Sequence, residues 1–228
     1  NATYVRSTFK NKRNNDFCLI KGESLSFNNF MDITAAYKIL SELNSYGKPA
    51  SAIIKHNNPC GVAVSENTSD AYLNALNCDN VSAFGGIVCI NRKVDEILAK
   101  KIALTFTEIV CAIEFDTEAL KVFSKKKNLK IIKIRNFNGK LLNVEDLKSV
   151  IGGNLIQTAD TFSYNSSEFE VVTKEKPSKR DLENLIFLWK TVKHVKSNAI
   201  VLGKNFHTTG IGAGQTNRVR SVKIAIQN

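Results

Sequence analysis

The sequence predicts an α/β fold, because apolar runs of strand length alternate along it with stripes of helical period. "SAIIK" (51–55), "AFGGIVCI" (83–90), "KIIKI" (130–134) and "NAIVLG" (198–203) are short and apolar, with β-branched residues in each. Between them lie segments such as "DITAAYKILSELNSY" (32–46), whose apolar positions recur every three to four residues.

The helix over 32–46 is closed by Gly47 and Pro49, and residues 50–55 follow as a buried strand. Ser69-Asp70 opens a helix through about Cys78, and 83–90 predicts a second buried strand. A helix from about Val94 to Leu104, a strand near 108–113, a helix from Thr117 to Lys127 and a strand over 130–134 complete the first part. In the second part "SVIGGNLIQTAD" (149–160) is a strand-like run interrupted by Gly152-Gly153. The polar stretch 163–180 has no period, but Ser178 with Asp181 forms a capping box for the next helix. Leu182, Leu185, Ile186, Trp189 and Val192 keep helical spacing and predict its core face. A strand at 198–203 and a helix from Gln215 follow, no internal repeat stands out, and a subdomain break is expected near 140–180.

A net charge of +11 favours anionic partners such as phosphates, nucleotides, acidic cofactors or nucleic acid. The basic residues are scattered, from Lys10, Lys12 and Arg13 to Arg218, Arg220 and Lys223, so charge alone selects none of these. The five cysteines are odd in number and lack C-x-x-C spacing, which supports neither a disulfide framework nor structural zinc and fits a reducing cytoplasm. No apolar run approaches the ~18–20 residues of a membrane span. The only methionine is Met31, so the chain is expected to be an internal part of a longer gene product.

Lys55 and His56 end the first apolar strand, and in open α/β sheets ligands gather at the carboxyl ends of strands. Pro59 disfavours a helical Asn58, so the chain is expected to leave the strand extended and to turn at Gly61. A histidine beside a lysine can act as a proton acceptor with an electrostatic partner, the ammonium favouring the neutral imidazole. An ordinary turn with a basic pair at its rim is the plainer reading of the same local pattern. Pro59-Cys60 shares two residues with a zinc-deaminase signature, which also needs H-x-E and P-C-x-x-C. Here His56 precedes Asn57-Asn58 and Cys60 precedes Gly61-Val62-Ala63, so the ligands and the acid are missing and no metal is assigned. "HTTGIGAGQTNRVR" (207–220) places Gly210, Gly212 and Gly214 before a helix with Arg218, which suits a turn or an anion site. It lacks the dinucleotide fingerprint.

Six segments carry a family resemblance: "KGESLSFNN" (21–29), "KHNNPCGVA" (55–63), "SAFGGIV" (82–88), "EALKVFSKKKN" (118–128), "VKSNAIVLGKN" (195–205) and "GIGAGQTNRVRSVKIA" (210–225). In this order they resemble the bifunctional purine biosynthesis family, which combines AICAR transformylase with IMP cyclohydrolase. The resemblance runs from about Lys21 to Ala225. It implies formyl transfer from 10-formyltetrahydrofolate to the 5-amino group of AICAR, giving FAICAR. It also implies a metal-free cytidine-deaminase-like fold in two subdomains, the second incomplete. On that division 1–145 form the first subdomain, 146–180 a connecting segment and 181–228 the start of the second. The family's separate cyclohydrolase domain has no counterpart here.

By resemblance His56 is the base that takes the proton of the attacking amine and also contacts AICAR. Lys55 is its electrostatic partner in the transition state. Gly85, Glu108, Asn198 and Arg218 match AICAR contacts, and Val219 a folate contact. "TFTEIVCAIEF" around Glu108 departs from the family's Glu-Val-Ile-Ile-Ala-Pro pattern. The family's Arg-Tyr-Gly-Glu-Asn-Pro-His-Gln segment is expected directly upstream of Asn1, and its Pro-Phe-Arg-Asp, Pro-Gly-Gly-Ser and Arg-His-Phe-Arg-His segments beyond Asn228. The isolated chain is therefore expected to be inactive, the whole protein to be a cytosolic homodimer, and membranes and nucleic acid to be no partners. The alternative reading is a non-catalytic basic α/β module that binds nucleotides or RNA.

Overall fold

The structure is a computed structural model that describes residues 17–139, 145–160 and 168–227. In chain order it contains β1 (Phe17–Lys21), α1 (Phe27–Leu43), β2 (Ala50–Lys55), β3 (Asn58–Val64), α2 (Thr68–Leu76), β4 (Ile87–Ile90), α3 (Glu96–Ile102), β5 (Ile109–Ala112), α4 (Thr117–Ser124) and β6 (Lys130–Ile134). After these come β7 (Glu145–Val150), β8 (Gly153–Thr158), α5 (Lys179–Val192), β9 (Ile200–Lys204), β10 (His207–Gly212) and α6 (Arg218–Gln227). The expected α/β class is the class observed.

Eight strands form one sheet in the order β1-β6-β5-β4-β2-β3-β10-β9. β4, β5 and β6 are parallel neighbours, linked through α3 and α4, while the other pairs in the sheet are antiparallel. Every residue of β4 and β5 is buried, as central strands covered on both faces must be. Ala52, Ile54, Ile87, Cys89, Ile109, Cys111 and Ile132 pack with Ile33, Leu40 and Phe187 on one side. Their neighbours Ile53, Val88, Ile90, Val110 and Ile131 pack with Tyr72, Leu98 and Phe123 on the other. The period of two thus builds two cores on one sheet.

Several elements differ from the sequence reading. α1 starts earlier because Ser26 and Asn29 close a reciprocal capping box, with an amide where an acid is customary. The strand expected over 83–90 is reduced to β4, since Ala83 to Gly86 form a turn in which Gly85 has φ 74°. Gly152, at φ 79°, turns the β7–β8 hairpin. The stripe on α5 is a correction: Leu185 and Trp189 are 55% and 49% exposed, and the fully buried residues are Phe187 and Thr191. Trp189 meets the Phe169 ring at a tilt instead, with centroids 5.1 Å apart. The cap formed by Ser178 and Asp181 is present as expected, and residues 161–167 of the polar stretch lie outside the described residues.

An internal repeat, not evident from the sequence, is plain in three dimensions. β2, a two-residue turn, β3 and α2 recur as β9, a two-residue turn, β10 and α6. Both turns have two non-glycine residues at positive φ, His56 and Asn57 (52° and 62°), then Asn205 and Phe206 (50° and 59°). In each unit a strand glycine lies against a helix carbonyl. A Cβ on Gly61 would overlap the Ala75 oxygen, and one on Gly210 the Ala225 oxygen. β3 and β10 pair antiparallel, so the two units stand side by side in opposite directions.

Glu42 of α1 holds α5 in place, accepting from Lys193 Nζ and His194 Nε2, both at 2.9 Å. Burial raises the carboxyl's proton affinity, but the hydrogen bonds and charges of His194 and Lys193 outweigh it and hold Glu42 below its ordinary value. A depressed carboxylate stabilises the fold above its unfolded pKa and loses that contribution as pH falls through the folded one. Urea unfolding of wild type and Glu42→Gln from neutral pH to about pH 3 should show wild type more stable at the upper end. The difference should close on acidification, and a constant gap would contradict the linkage.

Candidate active site

All the residues singled out by the sequence, and several that were not, lie along one end of the sheet. Lys55 closes β2 there and Asn58 opens β3, while Gly85-Gly86, Glu108 and Asn198 precede β4, β5 and β9. Lys130 opens β6, and Gly212 closes β10 before Arg218 starts α6. β1, β2 and β10 bring carboxyl ends to this edge. Lys55 thus stands at a strand carboxyl end as expected, whereas the parallel block brings amino ends, so Gly85, Glu108 and Lys130 do not follow that rule.

The chain does not run on extended to Gly61. It reverses at His56 and Asn57, and Lys55 pairs directly with Asn58. Two positive φ values in a two-residue loop are the signature of a type I′ turn, whose twist matches that of the flanking strands. Neither residue is glycine, so the conformation costs about 1 kcal/mol or more per residue and must be held from outside. Asp32 Oδ1 accepts from the Asn57 backbone N–H at 2.6 Å. The Asn57 carboxamide, with its nitrogen turned inward, donates to Asp32 Oδ1 and Met31 O at 3.2 and 3.1 Å. Asn58 Nδ2 donates to His56 O at 3.2 Å. Pro59, lacking an N–H, sits at the ladder irregularity opposite Ile54, and Gly61 lies within β3.

The result is an exposed imidazole at a braced tip, with Lys55 half-buried beside it. Lys55 Nζ donates to Phe84 O at 2.7 Å. Gly85 N donates to Phe106 O at 2.7 Å, and Glu108 N to Gly86 O at 3.0 Å. The rings of Phe84 and Phe106 meet at a tilt, centroids 5.2 Å apart, while 58% and 48% exposed, a small aromatic patch beside the lysine. Lys55, His56, Gly85 and Glu108 therefore belong to one connected patch.

The family model for the AICARFT/IMPCHase bienzyme matches residues 1–228. The chain belongs to that family. The bifunctional purine biosynthesis protein PurH of Synechococcus elongatus is 45% identical over 208 residues, 91% of this chain and 40% of its own length. Its counterpart in Aquifex aeolicus is likewise 45% identical over 208 residues, with the same coverage. That of Caldicellulosiruptor saccharolyticus is 47% identical over 207 residues, 91% of this chain and 39% of its own. The chain thus spans about 40% of the length of the curated relatives it matches.

In this member of the AICARFT/IMPCHase family a second pair of segments closes the other side of the hairpin. Lys196 N donates to Asn58 Oδ1 at 3.1 Å. Asn198 donates from its backbone and its Nδ2 to Gln215 O at 3.0 and 2.9 Å, and Ser221 Oγ donates to Asn198 O at 2.6 Å. Asn198 is thereby joined to the Lys–His turn through Asn58. Arg218 and Val219 stand exposed on the first turn of α6, between Gln215 and Ser221, the two residues bonded to Asn198.

Cys60 is buried in β3, and burial, reinforced by the Asp79 charge, pushes its thiol up to about 12. Such a thiol is a poor metal ligand at neutral pH. No group of three or more His, Cys, Asp or Glu among the described residues could hold a metal ion.

Sequence reading missed Asp32, Asn58, Asn29 and Lys130 at this edge. Asn58 was legible as an amide adjoining the Lys–His pair. Asp32 and Lys130 become visible only once α1 is set against the β2–β3 turn and β5 against β6. Removing the Asp32 brace by Asp32→Ala should cost about 1.5–3 kcal/mol and speed hydrogen exchange at the Asn57 amide. Unchanged Asn57 protection would show that Asp32 does not hold the turn.

Proposed function

We propose that this chain carries the formyl-transfer face of a bifunctional purine biosynthesis enzyme, moving the formyl group of 10-formyltetrahydrofolate to the 5-amino group of AICAR. The observation that carries the reading is the Lys55-His56 turn, braced so that an exposed imidazole follows directly on a half-buried lysine, in a chain of this family. An amine conjugated with an imidazole carboxamide is a poor nucleophile, so the site must remove its proton and position the donor. The amine nitrogen adds to the formyl carbon, His56 accepts the amine proton, and the carbonyl oxygen becomes an oxyanion. Lys55 Nζ has three donors, so it can stabilise that oxyanion while keeping its bond to Phe84 O. Collapse breaks the bond from the formyl carbon to folate N10, which leaves with a proton, and FAICAR is released.

Gly85, Glu108, Asn198 and Arg218 are the proposed AICAR contacts and Val219 the folate contact. Gly85 keeps a left-handed backbone beside Phe106, which suits close approach of a ligand. Arg218, at a helix start, suits the substrate phosphate. The two-subdomain division at 1–145, 146–180 and 181–228, the homodimer and the cytosolic location belong to the same proposal. Cyclohydrolase activity belongs to a region of the whole protein that this chain does not resemble. No helix among the described residues is long and apolar enough to cross a membrane.

In the full-length protein, His56→Ala should lower kcat for formyl transfer by about 10²–10⁴-fold while AICAR affinity stays within a few-fold. Near-normal turnover would refute the base assignment. Binding of AICAR and of single-stranded RNA at two salt concentrations separates this reading from a basic binding module. AICAR binding without RNA affinity supports it, and salt-sensitive RNA affinity without AICAR binding overturns it.

A further inference from the structure

Glu108 does not stand alone at the sheet end. Its Oε1 accepts from Asn29 Nδ2 at 2.8 Å and from Lys130 Nζ at 3.1 Å. Lys130 Nζ also donates to Asn29 Oδ1 at 3.1 Å, which closes a triangle of three side chains. Asn29 is 4% exposed, and its Oδ1 also accepts the Ser26 backbone N–H at 3.1 Å as part of the α1 cap. It is therefore fixed by the helix start itself. Lys130 is aligned from the other direction. Its backbone N–H donates to Glu108 O at 3.0 Å in the parallel β5–β6 ladder. Its aliphatic stem runs over Gly22, where an added Cβ would lie 2.9 Å from Lys130 Cγ.

Among the described residues both donors reach Oε1 and none reaches Oε2. The Glu108 side chain is 39% exposed, on the patch that also carries Gly85 and Lys55. An ion pair with this much solvent access adds little stability. What two donors on one oxygen do supply is orientation, holding the carboxylate plane and leaving the second oxygen as a directed acceptor.

We infer that Lys130 and Asn29 are positioning residues that bracket Glu108 so that its Oε2 accepts a hydrogen bond from a hydroxyl or amino group of the AICAR nucleotide. This rests on the functional reading above and adds to it the residues that aim the acceptor. Because Lys130 does not touch the reacting atoms, its effect falls on substrate binding and not on the chemical step.

The test is steady-state kinetics of the full-length protein with AICAR varied. Lys130→Met should raise KM for AICAR about tenfold, the loss of one aimed charge-assisted bond, with kcat within about twofold. Lys130→Arg, whose planar fork can serve the same two oxygens, should restore KM to within about twofold of wild type. In a Glu108→Gln background Lys130→Met should add less than about twofold, since the two act through one bond. An active wild type with KM unchanged in Lys130→Met overturns the inference alone. So does a Lys130→Met penalty that Lys130→Arg fails to rescue, or that persists in full beside Glu108→Gln. A wild type that neither binds AICAR nor transfers a formyl group overturns the functional reading itself.

Discussion

The reversal of the chain at His56 and Asn57 is the constraint on which the candidate site depends. Two non-glycine residues in left-handed conformation would relax if the turn were free, carrying the imidazole with them. Three separate parts of the fold prevent this. Asp32 on α1 takes the Asn57 N–H, the Phe84 carbonyl takes the Lys55 ammonium, and Lys196 bonds to Asn58. The turn therefore reports on the docking of α1, of the loop before β4 and of the segment before β9 together. A turn whose backbone is held by packed elements on several sides aims its side chain more narrowly than a free loop does.

The repeated hairpin unit shows how one local architecture serves two purposes. Glycines at 61 and 210 let each strand approach its following helix at backbone distance, closer than any side chain would allow. That close packing fixes the unit's shape, and the tip is then free to vary. Because the units run in opposite directions, their tips fall at opposite ends of the sheet. The Lys55-His56 tip meets the glycine turn and Glu108. The Asn205-Phe206 tip instead serves packing: Phe206 contacts the rings of Tyr46 and Phe187, and Asn205 accepts from Arg180. One hairpin exposes a titratable ring, and the other anchors α5.

Legibility in the sequence followed how local each determinant is. β2 and β6 were readable because a buried strand needs only its own apolar run, and the α5 cap because Ser178 and Asp181 are three residues apart. β3 and β10 were lost because Pro59, Gly61, Gly210 and Gly212 look like turn residues, whereas here they mark a ladder irregularity and close helix contacts. The true turns were missed because neither contains glycine. The repeat was hidden because what recurs is backbone shape, with Lys55 and Lys204 or Gly61 and Gly210 among the few shared residues. On α5 hydrophobicity and burial disagree, since Leu185 and Trp189 face outward while Thr191 is buried, its hydroxyl bonded to Phe187 O. At the site the pattern left an ordinary turn and a chemical pair as alternatives. The structure makes it a turn, and that turn is what presents the histidine.

The electrostatics of this sheet end follow from which charges are already engaged. Lys55, Lys130, Lys196 and Arg218 all lie there, whereas the acidic groups among them, Asp32 and Glu108, spend hydrogen-bonding capacity on Asn57, Asn29 and Lys130. Carboxylates bound to internal donors offset nearby positive charge without closing the surface to an anion. A substrate that joins a phosphate to neutral amino and hydroxyl donors meets both requirements, with cations for the phosphate and an aimed carboxylate oxygen for the donors. A polyanion satisfies only the first. The scattered surplus of +11 is thus less informative than the few residues at this edge, where positive charge, a braced imidazole and an oriented acceptor coincide.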